Sequence, residues 1–338
     1  MNNNEMIPII YACDDNYIKY MIVSLYSMIK NSSKDRKYDV HVFHTGLSKE
    51  NMDIASSYAN DNFKITFDDV TEDMYALQAH FPLRDYYSMA TYYRIVITER
   101  FPQYAKAIYI DSDTVVLGDI AELYDTDMGD NLIAAVNEAV MCQTDTYGGY
   151  CETVLGIDRR KFFNAGMIMM NLDKLREIGL LQKFIDMVNT YTFVVTQDED
   201  YLNYICKDRV MLLDRSWNCE VFGEIPYEPS DLKIVHYALA AKPWHYNDIR
   251  FGEIFWDYAK ETVLYDSILV DRDSFGEEGR AKDDFSNTNL AKTADYEVAK
   301  FKDYIAKNGI TSVSDSERTE VLRKIELLEK KDAFKHLR

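Results

Sequence analysis

The chain has 338 residues, of which 47% are apolar and 28% charged, a composition typical of a globular protein with a large core. Its formal net charge of −19 excludes most nucleic-acid binders, whose phosphate-contacting faces are basic, and it weakens attraction to anionic membranes. The five cysteines have no paired spacing, which argues against a disulfide framework and is typical of the reducing cytosol. The first residues lack the basic start of a signal peptide, so we expect a cytoplasmic protein.

Strand-like and helix-like patterns alternate along the first half of the chain. The pattern predicts strands over residues 7–13, 39–44, 63–67, 107–110, 132–136 and 167–171, and helices over 17–30, 48–59 and 86–98. This alternation predicts an α/β fold with a mostly parallel central sheet and flanking helices. Ligands of such sheets bind beyond the carboxyl ends of the strands, which directs attention to the residues that follow each predicted strand.

The composition changes after about residue 270. Residues 271–289 are polar and contain two glycines, which predicts a linker, and residues 296–307 and 316–334 have helical patterns. We therefore predict a main domain over 1–270, followed by a polar linker and a helical C-terminal appendage over 271–338. We expect the appendage to pack on the main domain or on a partner.

Two carboxylates follow one of the most apolar predicted strands. Asp111 and Asp113 flank Ser112 directly after residues 107–110. Residues two apart in extended chain point the same way, so both carboxylates face one side. Hard oxygen ligands without an intervening cation favour a divalent metal, although a solvated acidic turn has the same pattern.

A histidine follows another apolar run, 232–235. His236 together with two carboxylates is a donor set that suits Mn²⁺, and Lys242 is six residues further on, where it can hold a phosphate. A structural histidine is the alternative. Arg94, on the predicted helix 86–98, is either a phosphate or carboxylate partner or a surface charge.

Two further segments carry polar residues in positions that suggest a ligand. Asn164, Ala165 and Gly166 are small enough for a ligand to approach the backbone, and a plain turn is the alternative. Residues 197–200 open a predicted helix with three acidic side chains, which the helix dipole alone would also favour. No GxGxxG motif and no P-loop motif is present in the sequence.

Taken together, the segments 9–17, 110–113, 163–166, 197–200 and 236–244 resemble glycosyltransferase family 8. These are retaining enzymes related to bacterial lipopolysaccharide galactosyltransferases and to glycogenin, and the resemblance covers about residues 6–250. It implies a GT-A-like nucleotide-diphospho-sugar transferase fold for residues 1–270. It further implies transfer of a hexose from UDP-glucose or UDP-galactose to a saccharide or glycolipid acceptor, with Mn²⁺ as cofactor and Mg²⁺ as a substitute.

The resemblance also implies a role for each matching residue. Asp111, Asp113 and His236 would bind the metal, and Asp198, Glu199 and Lys242 would serve the chemistry. The donor-contacting set would be Ala12, Cys13, Asp14, Asn16, Arg94, Asp111, Ser112, Asp113, Asn164, Ala165, Asp198, Glu199, His236, Leu239 and Lys242. Within this set, Ala12, Asp14 and Asn16 would contact uridine and ribose.

Two positions depart from the family pattern. Glu199 stands where the bacterial galactosyltransferases have glutamine, and Leu239 stands where the family has a glycine that contacts the diphosphate. Both the covalent route and attack from the leaving-group face are open for a retaining transfer.

Two other functions compete with this interpretation. Residues 110–114 match the first motif of haloacid-dehalogenase phosphatases, with Asp111 as nucleophile, although that motif usually opens the fold and about five elements precede it here. A sugar-nucleotide sensor without turnover is the second alternative. A weak peripheral contact with the inner face of the membrane and a homo-oligomeric state stay open.

Overall fold

The computed structural model describes residues 6–77 and 89–335. The strands in these residues are β1 (Met6–Ala12), β2 (Lys37–His44), β3 (Phe63–Asp69), β4 (Lys106–Ile110), β5 (Thr114–Val116), β6 (Ile133–Asn137), β7 (Phe163–Asn171), β8 (Val210–Leu212), β9 (Cys219–Glu220) and β10 (Ile234–His236). The α-helices are α1 (Ile18–Asn31), α2 (Lys49–Ser56), α3 (Thr71–Leu77), α4 (Ile97–Arg100), α5 (Ile120–Tyr124), α6 (Ala139–Gln143), α7 (Asp145–Tyr150), α8 (Leu172–Ile178), α9 (Leu180–Thr190), α10 (Asp198–Cys206), α11 (Gly252–Ala259), α12 (Tyr265–Ser274), α13 (Glu277–Lys307) and α14 (Asp315–Lys335).

The main sheet has seven strands in the order β3-β2-β1-β4-β7-β6-β8. Each neighbouring pair in it is parallel except the two pairs that involve β7. A smaller sheet, β5-β10-β9, lies beside it, with β10 antiparallel to β5. The predicted α/β fold with a mostly parallel sheet and flanking helices is therefore confirmed.

The apolar strands of this sheet are buried on both faces. Along β1, Ile10 and Ala12 belong to one core cluster, whereas Ile7, Ile9 and Tyr11 belong to a second cluster on the opposite face. This separation follows from the two-residue period of a strand. It explains why β1 has an almost continuous apolar sequence: helices cover both sides of a parallel sheet.

The predicted helix over 86–98 differs from the observed structure. Residues 78–88 lie outside the described residues, and the rest forms a 3₁₀ helix over Met89–Val96 followed by the short helix α4. Aromatic and β-branched side chains fill this stretch, and such residues lose rotamer freedom in an α-helix. The segment still carries Arg94 toward the sheet, as described below.

The polar stretch 271–289, predicted as a linker, is largely helical. It forms the end of α12 and the first part of α13, with Gly276 as the residue before α13. Side chains of α13 and α14, including Ala294, Phe301 and Leu322, are buried in the same core cluster as strand residues of the main sheet. The division of the chain at residue 270 stays a prediction, but these helices share the core.

Among the described residues, no helix combines the length and apolarity that crossing a bilayer requires. The cytoplasmic location, the peripheral membrane contact and the homo-oligomeric state remain predictions.

Candidate active site

A pocket lies at the carboxyl ends of β1 and β4, where the fold class predicts a ligand. Of the fifteen residues in the predicted donor-contacting set, all but Asn16 line this pocket. Asn16 is exposed, and its backbone N–H donates to the Asp14 carboxylate at 2.9 Å in the turn before α1. The structure therefore brings together residues from distant parts of the sequence.

The predicted metal ligands converge at this end of the sheet. Asp111 follows β4, Asp113 precedes β5, and His236 ends β10, which pairs with β5 so that His236 lies opposite Thr114. One possible ligand atom from each residue lies within 4.8 Å of the others. The His236 Nε2 atom is 3.3 Å from Asp113 Oδ1 and 3.9 Å from Asp111 Oδ2.

Two buried atoms of this trio have no hydrogen-bond partner, namely Asp113 Oδ1 and His236 Nδ1. A buried polar atom without a partner is costly, so Asp113 Oδ1 is an atom that a cation could satisfy. Two carboxylates and one imidazole fit Mn²⁺ better than the oxygen-only preference of Mg²⁺. The donor set therefore fits the predicted cofactor.

Gly166 leaves room for the trio. Asn164, Ala165 and Gly166 lie within β7 rather than in a turn, and the Gly166 carbonyl accepts a 2.7 Å hydrogen bond from the Asp111 backbone N–H. A Cβ at Gly166 would lie 2.3 Å from His236 Cε1 and 2.7 Å from Asp111 Oδ2. Any larger residue would therefore displace two of the predicted ligands.

Lys242 is buried beside the trio, with 5% of its surface exposed. Its ammonium donates to the Asp113 carboxylate and, at 2.6 Å, to the Tyr237 carbonyl. Burial raises the pKa of Asp113, but Lys242 and His236 lower it by more, so the pKa of this carboxyl is well below its usual value. Burial lowers the pKa of Lys242, but Asp113 raises it by more. Because the pKa of the acid is lowered and the pKa of the base is raised, Asp113 and Lys242 are both charged near neutral pH.

The backbone conformation of Leu239 bears on one departure from the family pattern, the leucine in place of a glycine. Its φ of 51° lies in the left-handed region that normally favours glycine, and it lines the pocket. The backbone thus keeps a glycine-like conformation although the residue is leucine. The strain of that conformation is stored at the site, as is common for ligand-contacting loops.

Arg94 is not a surface charge, because only 4% of its surface is exposed. Its Nε atom is 3.1 Å from Asp198 Oδ2 and its Nη2 atom is 3.3 Å from Asp111 Oδ1. Its guanidinium also donates to the Ala165 carbonyl and lies over the Tyr109 ring at 4.4 Å. Burial raises the pKa of Asp198 to about 7, against the lowering effect of Arg94.

Glu199 is partly buried and belongs to a group of three glutamates with the buried Glu138 and Glu220. The Glu199 carboxyl accepts a 2.7 Å hydrogen bond from the Ala165 backbone N–H. Burial, and then Glu138, raise the pKa of Glu199 well above its usual value. The pKa values of Glu138 and Glu220 are raised as well, first by burial. After burial, the neighbouring Glu138 also raises the pKa of Glu220, because two carboxylates in one buried space repel each other.

Sequence reasoning missed Glu138 and Glu220. Glu138 directly follows β6, so the strand-end argument that selected Asp111 would also have found it. Glu220 lies in the two-residue strand β9, and no sequence pattern distinguishes it. It accepts hydrogen bonds from the Ala139 backbone at 2.8 Å and from the Asn164 amide at 3.3 Å.

The sequence is similar to those of known glycosyltransferases. A family model described as glycosyl transferase family 8 matches residues 8–248. A Haemophilus influenzae protein with a provisional glycosyltransferase name is 31% identical over 252 residues, which are 72% of this chain and 74% of that protein. Lipopolysaccharide 1,2-glucosyltransferase of Escherichia coli is 23% identical over 260 residues, 72% of this chain and 75% of that protein.

The fold is also similar to that of a glycosyltransferase of known structure. The galactosyltransferase LgtC, determined in complex with donor and acceptor sugar analogs, superposes with a TM-score of 0.65 and 26% identity, covering 82% of this chain and 100% of that chain. The family match ends at residue 248, before α11 begins.

Proposed function

This chain belongs to glycosyl transferase family 8 and is a hexosyltransferase, and we propose that it transfers a hexose from UDP-glucose or UDP-galactose to a saccharide or glycolipid acceptor with retention of configuration. The observation that carries the proposal is the convergence of Asp111, Asp113 and His236 beside buried Lys242. That arrangement suits a metal-bound diphosphate.

The reaction places negative charge on the departing diphosphate. The acceptor hydroxyl oxygen forms a bond to the anomeric carbon, the bond between that carbon and the UDP oxygen breaks, and the hydroxyl proton passes to the departing phosphate. A bound Mn²⁺ would neutralise part of the charge on that leaving group. Asp111, Asp113 and His236 would hold the ion.

Lys242 would stabilise the same developing charge from the protein side. The Tyr237 carbonyl fixes its ammonium, so little reorganisation is needed as the charge develops. Arg94 would keep Asp198 and Asp111 in position, since it contacts both. Asp198 would then receive hydroxyl groups of the donor sugar.

We also propose that attack comes from the leaving-group face. A covalent route needs an ionised carboxylate under the anomeric carbon. Burial favours the neutral form of Glu199, and a backbone N–H already occupies one of its oxygens. Both features support a role for Glu199 as a neutral polar side chain that lines the pocket, rather than as a nucleophile.

A panel of UDP-sugars tests the proposal, with UDP release measured in Mn²⁺, in Mg²⁺ and in EDTA. We expect release from UDP-glucose or UDP-galactose in Mn²⁺, weaker release in Mg²⁺ and none in EDTA. Asp113→Asn should abolish turnover and weaken UDP binding in Mn²⁺ measured by calorimetry. Asp130→Asn is the matched control, since its carboxylate is 94% exposed and remote from the pocket. Full activity in EDTA would refute the metal-dependent mechanism.

The same panel separates the two alternative functions. A phosphatase would release inorganic phosphate from phosphate esters in Mg²⁺ and show no UDP affinity. A sensor would bind UDP-sugar in Mn²⁺ without releasing UDP, even when acceptor saccharides are supplied.

A further inference from the structure

Part of one pocket wall comes from outside the residues that match the family. Asp283 and Leu290, both on α13, line the pocket together with Tyr147 of α7. Neither helix carries a residue of the predicted donor-contacting set. This wall, formed by Tyr147, Asp283 and Leu290, is named the α7–α13 wall below.

The α7–α13 wall is firmly attached to the rest of the protein. Helix α13 packs on α7, and its residues Ala294 and Phe301 are buried in the core. Asp283 is 4% exposed and accepts a 2.7 Å hydrogen bond from the Tyr246 hydroxyl. These contacts fix the carboxylate at the pocket before any ligand arrives.

The segment after Lys242 also contacts the C-terminal region, at a residue between α12 and α13. The His245 ring stacks on Phe275, with ring centroids 3.9 Å apart and planes 3° apart. His245 itself lines the pocket. The C-terminal region therefore contacts pocket-lining residues through Phe275 as well as contributing Asp283 and Leu290 of α13 to the pocket.

We propose that the space along the α7–α13 wall is the acceptor subsite, and that Tyr147, Asp283 and Leu290 select the acceptor. This inference rests on the proposed function. The metal trio and Lys242 mark the diphosphate, and the end of β1 marks the nucleoside, so the remaining wall faces the second substrate.

The chemistry of the wall indicates an uncharged saccharide. An aromatic ring and a leucine cover the C–H face of a sugar, and a carboxylate accepts hydrogen bonds from its hydroxyl groups. That carboxylate belongs to Asp283, which lines the pocket. A ligand with a carboxylate or phosphate would meet like charge here, which disfavours it.

The experiment measures transfer from UDP-glucose or UDP-galactose to methyl β-glucoside, methyl β-galactoside and methyl β-glucuronide by the full-length enzyme in Mn²⁺. Leu290→Ala and Asp283→Asn are compared with Leu328→Ala and Asp284→Asn. The control side chains are exposed and do not line the pocket, Leu328 being 48% exposed. For each variant, KM is determined separately for the acceptor and for the UDP-sugar.

We expect the two wall variants to raise the KM for neutral acceptors about tenfold, with a much smaller change in the KM for UDP-sugar. The controls should match the parent protein, and the glucuronide should be the poorest acceptor. Equal increases in both KM values, or no change in the acceptor KM, would overturn the acceptor subsite. A parent protein that releases no UDP from any UDP-sugar would instead refute the proposed function.

Discussion

Glu199→Gln is the substitution that best separates the two routes of retaining transfer. The partly buried Glu199 carboxyl accepts a 2.7 Å hydrogen bond from the Ala165 backbone N–H. A glutamine has the same length and shape, and its amide oxygen can accept the same bond. If burial keeps Glu199 neutral, the substitution replaces one neutral polar group with another.

The expected loss follows from that comparison. Because the hydrogen bond from the Ala165 N–H is kept, the substitution alters at most about one neutral hydrogen bond among the three glutamates. We therefore expect the activation free energy to rise by roughly 1 kcal/mol. That corresponds to a decrease in kcat of less than about tenfold. If Glu199 were a nucleophile, removing it would eliminate the covalent route and lower kcat by about 10³-fold or more.

The assay is the rate of UDP release with saturating UDP-sugar and Mn²⁺. Calorimetry of UDP binding verifies that the donor site is intact, and Glu199→Ala serves as the comparison, since it also removes the acceptor of the Ala165 N–H. A loss beyond about a thousandfold in Glu199→Gln, with unchanged UDP affinity, would refute attack from the leaving-group face.

Three further predictions test the packing around the site and the core. Gly166→Ala should lower Mn²⁺-dependent turnover about 100-fold or more because its Cβ would lie 2.3 Å from His236 Cε1, whereas Gly149→Ala, with nothing within 4 Å, should not. A chain ending at Val270 should lack a cooperative thermal transition, because it loses apolar side chains of the main core; a folded, active fragment would contradict this. Burial lowers the pKa of His41, but the neighbouring Asp39 and Asp68 raise it by more, so the pKa in the folded protein is above the usual value. The protonated His41 therefore stabilises the fold fully below about pH 6.5, the ordinary histidine pKa, and this stabilisation is lost as the pH rises through the raised pKa. The Tm difference between the parent protein and His41→Gln should therefore be larger at about pH 5.5 than at about pH 8.5, and the reverse order would refute the sign.

The metal trio could be predicted from sequence because each member follows a local rule. Asp111 follows β4, Asp113 lies in the short turn before β5, and His236 ends β10, so all three positions follow from strand ends. The pairing of β5 with β10 then brings His236 to the carboxylates. Lys242 followed from its short distance along the chain.

Other features depend on contacts that no local pattern encodes. The polarity of residues 271–289 predicted a linker, yet α13 is helical there because distant residues such as Phe301 hold it against the core. Glu220 enters the pocket through a two-residue strand that exists only by pairing with β10. Propensity is a weak predictor wherever tertiary packing decides the outcome.

The position of Asp283 and Leu290 also has a consequence for biosynthesis. Proteins emerge from the ribosome amino end first, so the metal trio and Lys242 are made before α13. Because α13 also contributes side chains to the main core, we expect the nascent chain to complete its fold and its pocket in one step, when that helix docks on α7. A chain released without α13 would therefore lack a folded site rather than hold an open one.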